Sequence, residues 1–152
     1  MKLLIACGNS LRQDDGAGLI LADGLAAHWQ AEKRPFRHIQ VQQLVPELAL
    51  EIAAEGVEEV WFVDSRVAQD ETDTTIQIRQ LQADLQSPTM GHQLSPEMLL
   101  LYARGLFEKR PLAEQPVARQ ITIPGFHFGH AETVSAACQV VLDTVLNQIA
   151  RK

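Results

Sequence analysis

Cysteines, basic clusters and long apolar runs are scarce in this chain, and each scarcity closes off a class of protein. The two cysteines, Cys7 and Cys138, lie far apart with no Cys-x-x-Cys spacing, so neither a disulfide framework nor a thiolate zinc site is supported. Lys and Arg number 13 against 19 Asp and Glu, a formal net charge of -6, and no basic run extends beyond Glu32-Lys33-Arg34. Nucleic acid and anionic membranes both demand clustered Lys and Arg, so neither is expected as a partner. No apolar stretch approaches the ~20 residues needed to cross a bilayer. The apolar start over residues 3–7 is shorter than the ~7–15-residue core of a signal peptide, so a buried first strand and a cytoplasmic protein are expected. Three catalytic signatures are also missing: a His-Glu-x-x-His zinc helix, a Gly-x-x-x-x-Gly-Lys phosphate loop and a Gly-x-Ser-x-Gly elbow. Ser10 and Ser65 therefore do not read as hydrolase nucleophiles.

The chain does have the material for a core. Its 152 residues are 46% hydrophobic and 21% charged, which suits one ordered domain over residues 1–152. Residues 2–7 form a continuous apolar run, the mark of a central strand covered on both faces. Residues 17–29 carry Leu19, Ile20, Leu25 and Ala26 at helical spacing. Residues 39–42 alternate as a strand near a sheet edge does. Pro46 and Gly56 bracket a helix over 46–54. Residues 60–63 predict a third strand that stops at Asp64. The alternating run 75–79 follows too soon for a parallel crossover, so an antiparallel edge strand is expected there. Ser95-Pro96 opens a helix with Leu99, Tyr102, Ala103 and Leu106 on one face. Residues 121–123 predict the last strand. The last helix is expected over 132–150, with Val134, Cys138, Val141 and Val145 inward. The order predicts a three-layer α/β/α sandwich around a mostly parallel five-stranded sheet with one antiparallel strand.

Three polar residues fall at or above the carboxyl ends of these strands: Asp15, Asp64 and His92. That edge is where open α/β sheets bind ligands. Two carboxylates and an imidazole from three loops make an incomplete coordination shell suited to Ni(II), Zn(II) or Fe(II), with positions left for a substrate. Each has an ordinary reading as well. Asp14 and Asp15 could cap the following helix and offset its dipole, and Asp64, His92 and Arg12 could be solvated. Cys7 and Cys138 read as small core residues. The segment Phe126-His127-Phe128-Gly129-His130 reads as a loop packing two phenylalanines.

The run Gly8-Asn9-Ser10-Leu11-Arg12-Gln13-Asp14-Asp15-Gly16-Ala17-Gly18 resembles the first motif of the hydrogenase maturation endopeptidases. Val63-Asp64 is similar to that family's second motif, and Gly91-His92-Gln93-Leu94 to its third. The resemblance implies an enzyme that removes a C-terminal extension from the large-subunit precursor of a nickel–iron hydrogenase after nickel insertion. It implies that Asp15, Asp64 and His92 contact a metal and carry the catalytic site. The nickel is expected to arrive with the precursor, and other divalent metals can substitute. Aspartate at position 15, where the family often has glutamate, shortens the reach by one methylene. The segment Gln42-Gln43-Leu44-Val45-Pro46-Glu47-Leu48-Ala49 resembles the branch serving NAD(P)-linked bidirectional hydrogenases. A monomer is expected, and a non-proteolytic, nickel-dependent chaperone of the precursor is the alternative.

Overall fold

The computed structural model describes residues 1–83, 94–107, 110–111 and 114–151. Within them the chain runs β1 (Lys2–Cys7), α1 (Ala17–Ala31), β2 (Phe36–Val41), α2 (Leu48–Ile52), β3 (Glu59–Val67), β4 (Gln77–Leu81), α3 (Pro96–Leu106), β5 (Val117–Gly125) and α4 (Ala136–Ala150). A 3-10 turn over Gln13–Gly16 leads into α1. The five strands form one sheet in the order β2-β1-β3-β5-β4. Four strands are parallel, and β4 pairs antiparallel with β5 at the edge.

The sheet is mixed, with helices on both sides, as its sequence pattern predicts. Leu3, Leu4, Ile5 and Ala6 in β1 are fully buried, because alternate side chains enter two different cores. Leu4 and Ala6 pack with Leu21, Leu25, Trp29, Val141 and Leu142 from α1 and α4. Leu3 and Ile5 pack with Leu48, Ile52, Leu99 and Ala103 from α2 and α3. At the end of the sheet where β1 begins, Glu59 binds Lys2 and Arg119, and both cations lie against the Trp61 ring.

Several boundaries differ from the sequence reading. β3 does not stop at residue 64. It runs on to Val67 because Asp64, Ser65, Arg66 and Val67 all pair with β5. β5 likewise spans nine residues, not three. α2 is only Leu48–Ile52, with Pro46 in the preceding turn. α4 begins at Ala136, where Ser135 is the N-cap and its hydroxyl accepts from the Cys138 N–H. On α3, Leu99 and Ala103 are buried, but Tyr102 and Leu106 are 42% and 45% exposed. The expected four-residue apolar face is therefore only half covered.

Candidate active site

The strand order creates a crevice. From β1 the chain moves through α1 to β2 on one side, then returns through α2 to β3 on the other. Loops leaving the carboxyl ends of β1 and β3 therefore diverge, and this switch point is the usual ligand site of such sheets. Asp15 lies in the loop after β1, and Asp64 lies on the adjacent β3.

Two glycines bring these segments together. A Cβ on Gly18 would lie 2.9 Å from the Asp64 Cα, so only glycine lets the first turn of α1 rest on β3. A Cβ on Gly8 would lie 2.3 Å from the Asp15 carbonyl oxygen, so Gly8 lets the loop fold back over the strand end. Between them the loop is tied to the segment before α4. The Gln13 and Asp14 N–H groups donate to the carbonyls of Ala131 (2.9 Å) and His127 (3.0 Å). The Ala131 N–H donates back to Leu11. Gln13 adopts φ +48°, an uncommon value for a side-chain-bearing residue, and its amide oxygen accepts from the Gly129 N–H at 3.0 Å.

The two adjacent aspartates separate completely in role. Asp14 is fully buried and accepts four hydrogen bonds: from the N–H groups of Phe126 (2.7 Å), His127 (3.0 Å) and Ser135 (2.7 Å), and from the Ser135 hydroxyl (2.7 Å). Burial pushes its carboxyl up, but these donors outweigh burial and hold it below the usual carboxylate range. Asp14 therefore secures the start of α4. Neither aspartate caps α1, whose N-cap is Gly16 with no side-chain cap.

Asp15 faces the crevice. Its Oδ2 accepts from the Asn9 N–H at 3.0 Å, and its Oδ1 accepts a long bond of 3.4 Å from the Ser65 hydroxyl. The Ser65 N–H donates to Asp64 Oδ1 at 2.8 Å. Ser65 thus touches both carboxylates. Burial pushes the Asp64 carboxyl up to about 7; the Ser65 N–H opposes this, and the negative charge of Asp15 adds to it. Cys7 is half-buried on the same wall, not in the core, while Cys138 is buried as expected. Burial first, then Asp64 and Asp15, push the Cys7 thiol up to about 12, against a hydrogen bond donated by the Leu44 backbone N–H that lowers it.

The crevice is a cleft of about 1500 Å³. Cys7, Asn9, Arg12, Asp15 and Asp64 lie along one side, residues 42–46 along another, and Leu94, Ser95, Met98 and Tyr102 on a third. Arg12 is exposed on its wall and makes no ion pair among the described residues. His92, the third residue singled out by sequence, lies outside the described residues. Among the described residues, no group of three or more His, Cys, Asp or Glu side chains is arranged to hold a metal ion. The described chemistry is a pair of neighbouring carboxylates, which suits a hard or borderline cation with further ligands from elsewhere.

No family model matches the chain, and no curated protein matches it in sequence. Solved structures do match its shape. A [NiFe] hydrogenase maturation protease, HycI, from Thermococcus kodakarensis KOD1 aligns over 99% of this chain and 90% of its own, at 18% identity and TM-score 0.68. The hydrogenase 2 maturation peptidase of a Thaumarchaeota archaeon covers 99% and 95% at 18% identity and TM-score 0.61. The hydrogenase maturating endopeptidase HybD from E. coli covers 97% and 88% at 18% identity and TM-score 0.56. This chain shares their fold. The likeness extends over nearly its whole length.

Sequence reasoning missed the clamp formed by Asp14. Its side-chain partners lie 112, 113 and 121 residues away, and no local pattern links them. It also missed the cleft-facing position of Cys7. The one available signal was that Cys7 ends an apolar run immediately before the loop.

Proposed function

We propose that this protein is an endopeptidase that removes the C-terminal extension of a nickel–iron hydrogenase large-subunit precursor. The observation that carries the reading is the placement of Asp15 and Asp64 side by side at the switch-point cleft, held by Ser65, on this fold. The shared fold with hydrogenase maturation proteases supports it.

In this reading nickel belongs to the precursor and is the recognition element. Asp15 and Asp64 offer carboxylate oxygens to it, together with His92. Recognition then depends on a maturation state instead of a long peptide sequence. Anchoring the precursor at this point holds the scissile peptide against the carboxylates, where proximity supplies much of the rate. Hydrolysis adds water across the peptide C–N bond, giving a new carboxylate and a free amine. The proton transfers fall to Asp15 and Asp64, because Asp14 is buried and fully engaged. Other divalent ions with the same ligand preferences can replace nickel. Residues 42–46 line the cleft, and the resemblance of residues 42–49 to the branch serving NAD(P)-linked hydrogenases supports assignment to that branch. We place the protein in the cytoplasm as a monomer. No described helix is long and apolar enough to cross a membrane.

The test is mass spectrometry of a purified large-subunit precursor incubated with this protein, with and without nickel loaded. Loss of the C-terminal extension only from the nickel-loaded form is the expected result. An unchanged mass with stable binding would make the protein a nickel-dependent chaperone.

A further inference from the structure

We propose that Gln120 is a substrate-positioning residue that donates its side-chain amide to a backbone carbonyl of the precursor segment lying in the cleft. This rests on the endopeptidase reading and adds a subsite to it.

Arg79 lies on the edge strand β4. Its Nε donates to the Gln120 Oε1 at 2.9 Å, and its Nη2 bonds Glu97 of α3 at 2.8 Å. Arginine has donors and no acceptors, so the Gln120 atom it touches must be the carbonyl oxygen. The orientation of the amide is thereby fixed, and its NH2 group points away from Arg79. That NH2 makes no hydrogen bond among the described residues, and Gln120 lines the cleft. The site therefore presents a donor pair held at a set angle by a three-element network.

Register gives its distance from the carboxylates. Gln120 pairs with Phe62, and Asp64 lies two residues further along β3. Phe62 and Ala118 enter the core beneath α2 and α3, and strand alternation places Asp64 and Gln120 on that same face. Two residues along the strand span roughly 6.5 Å and the neighbouring strand lies about 4.8 Å to the side, so the two backbone positions are roughly 8 Å apart. An extended peptide advances about 3.3–3.6 Å per residue. A substrate carbonyl at Gln120 is therefore about two residues from the bond held at Asp64. A cleft of about 1500 Å³ exceeds the ~300–1,000 Å³ of ordinary small-molecule pockets and has room for such a segment. A backbone carbonyl is the chemistry this donor fits, so the subsite aligns the chain without reading its side chains.

Steady-state processing of nickel-loaded precursor by wild type, Gln120→Glu and Gln120→Met provides the test. Glutamate keeps an acceptor for Arg79 but loses the NH2 donors, and methionine loses both. The subsite binds the substrate equally in ground and transition states, so KM should rise about tenfold with kcat within about twofold. Thermal midpoints establish that both variants fold. An unchanged KM in a folded variant overturns the proposal, as does a fall in kcat alone. If wild type leaves the precursor uncut, the endopeptidase reading itself has failed, which is a separate outcome.

Discussion

Replacing Asp14 tests the division of labour between the two adjacent aspartates. The carboxylate is fully buried and receives three backbone N–H groups and one hydroxyl. Asp14→Ala leaves those backbone donors without a partner, and uncovering one side of a buried charged network costs about 3–5 kcal/mol. Asp14→Asn is nearly isosteric but cannot satisfy the site. With its oxygen placed at Oδ2 to keep Phe126, His127 and the Ser135 hydroxyl, its NH2 meets the Ser135 N–H, donor against donor, at the 2.7 Å position. One charge-assisted bond and one desolvated N–H are lost, about 2–3 kcal/mol. For 152 residues the unfolding entropy is about 0.3 kcal/mol/K, so the midpoint should drop by about 6–9 °C for Asn and about 10–15 °C for Ala. Differential scanning calorimetry at neutral pH measures both. The folded pKa is depressed, so this contribution is present above about 3.8 and is lost as pH falls through the lower folded value. Asp14→Asn should therefore flatten the acid limb of the stability curve. A midpoint within about 2 °C of wild type combined with lost processing would refute the reasoning. It would make Asp14 a chemical participant instead of a clamp.

Asp64 should show the opposite pH dependence: its folded pKa is raised to about 7 from 3.8, so stability is full below about 3.8 and falls as pH rises through 7. Asp64→Asn should remove that fall and be more stable than wild type at pH 8 in denaturant titrations, while losing processing activity. Gly18→Ala places a methyl 2.9 Å from the Asp64 backbone, so α1 must back away from β3. An overpacking cost of about 1–3 kcal/mol is expected by thermal melt, with reduced processing even well below the midpoint. At position 15, where both carboxylate oxygens accept hydrogen bonds, Asp15→Glu should retain more processing activity than Asp15→Asn. Equal loss in mass-spectrometric assays would count against a charge-dependent role.

The fold was legible where burial has a strong period. The apolar run of β1, the alternation of β2 and the early, antiparallel return of β4 are each written locally. Strand lengths were less legible. Asp64, Ser65 and Arg66 are polar, yet they continue β3 because β5 supplies hydrogen-bond partners through Gly125. That is a tertiary effect on a sequence with no strand propensity of its own. In the candidate site, the glycines and Asp15 could be found from one loop, since close approach to a strand end imposes local residue types. Asp14 could not be told from Asp15, because what distinguishes them is the segment from Phe126 to Ser135. Gln120 and Arg79 were equally hidden, sitting on neighbouring strands that only the sheet brings together.

The most direct measurement is anomalous diffraction from crystals of this protein equilibrated with Ni(II) or Cd(II). One peak is expected in the cleft, within about 2.0–2.4 Å of carboxylate oxygens from both Asp15 and Asp64. Two separate peaks, or an ion that touches only one of the two, would contradict a shared centre and with it the proposed use of nickel as the recognition element.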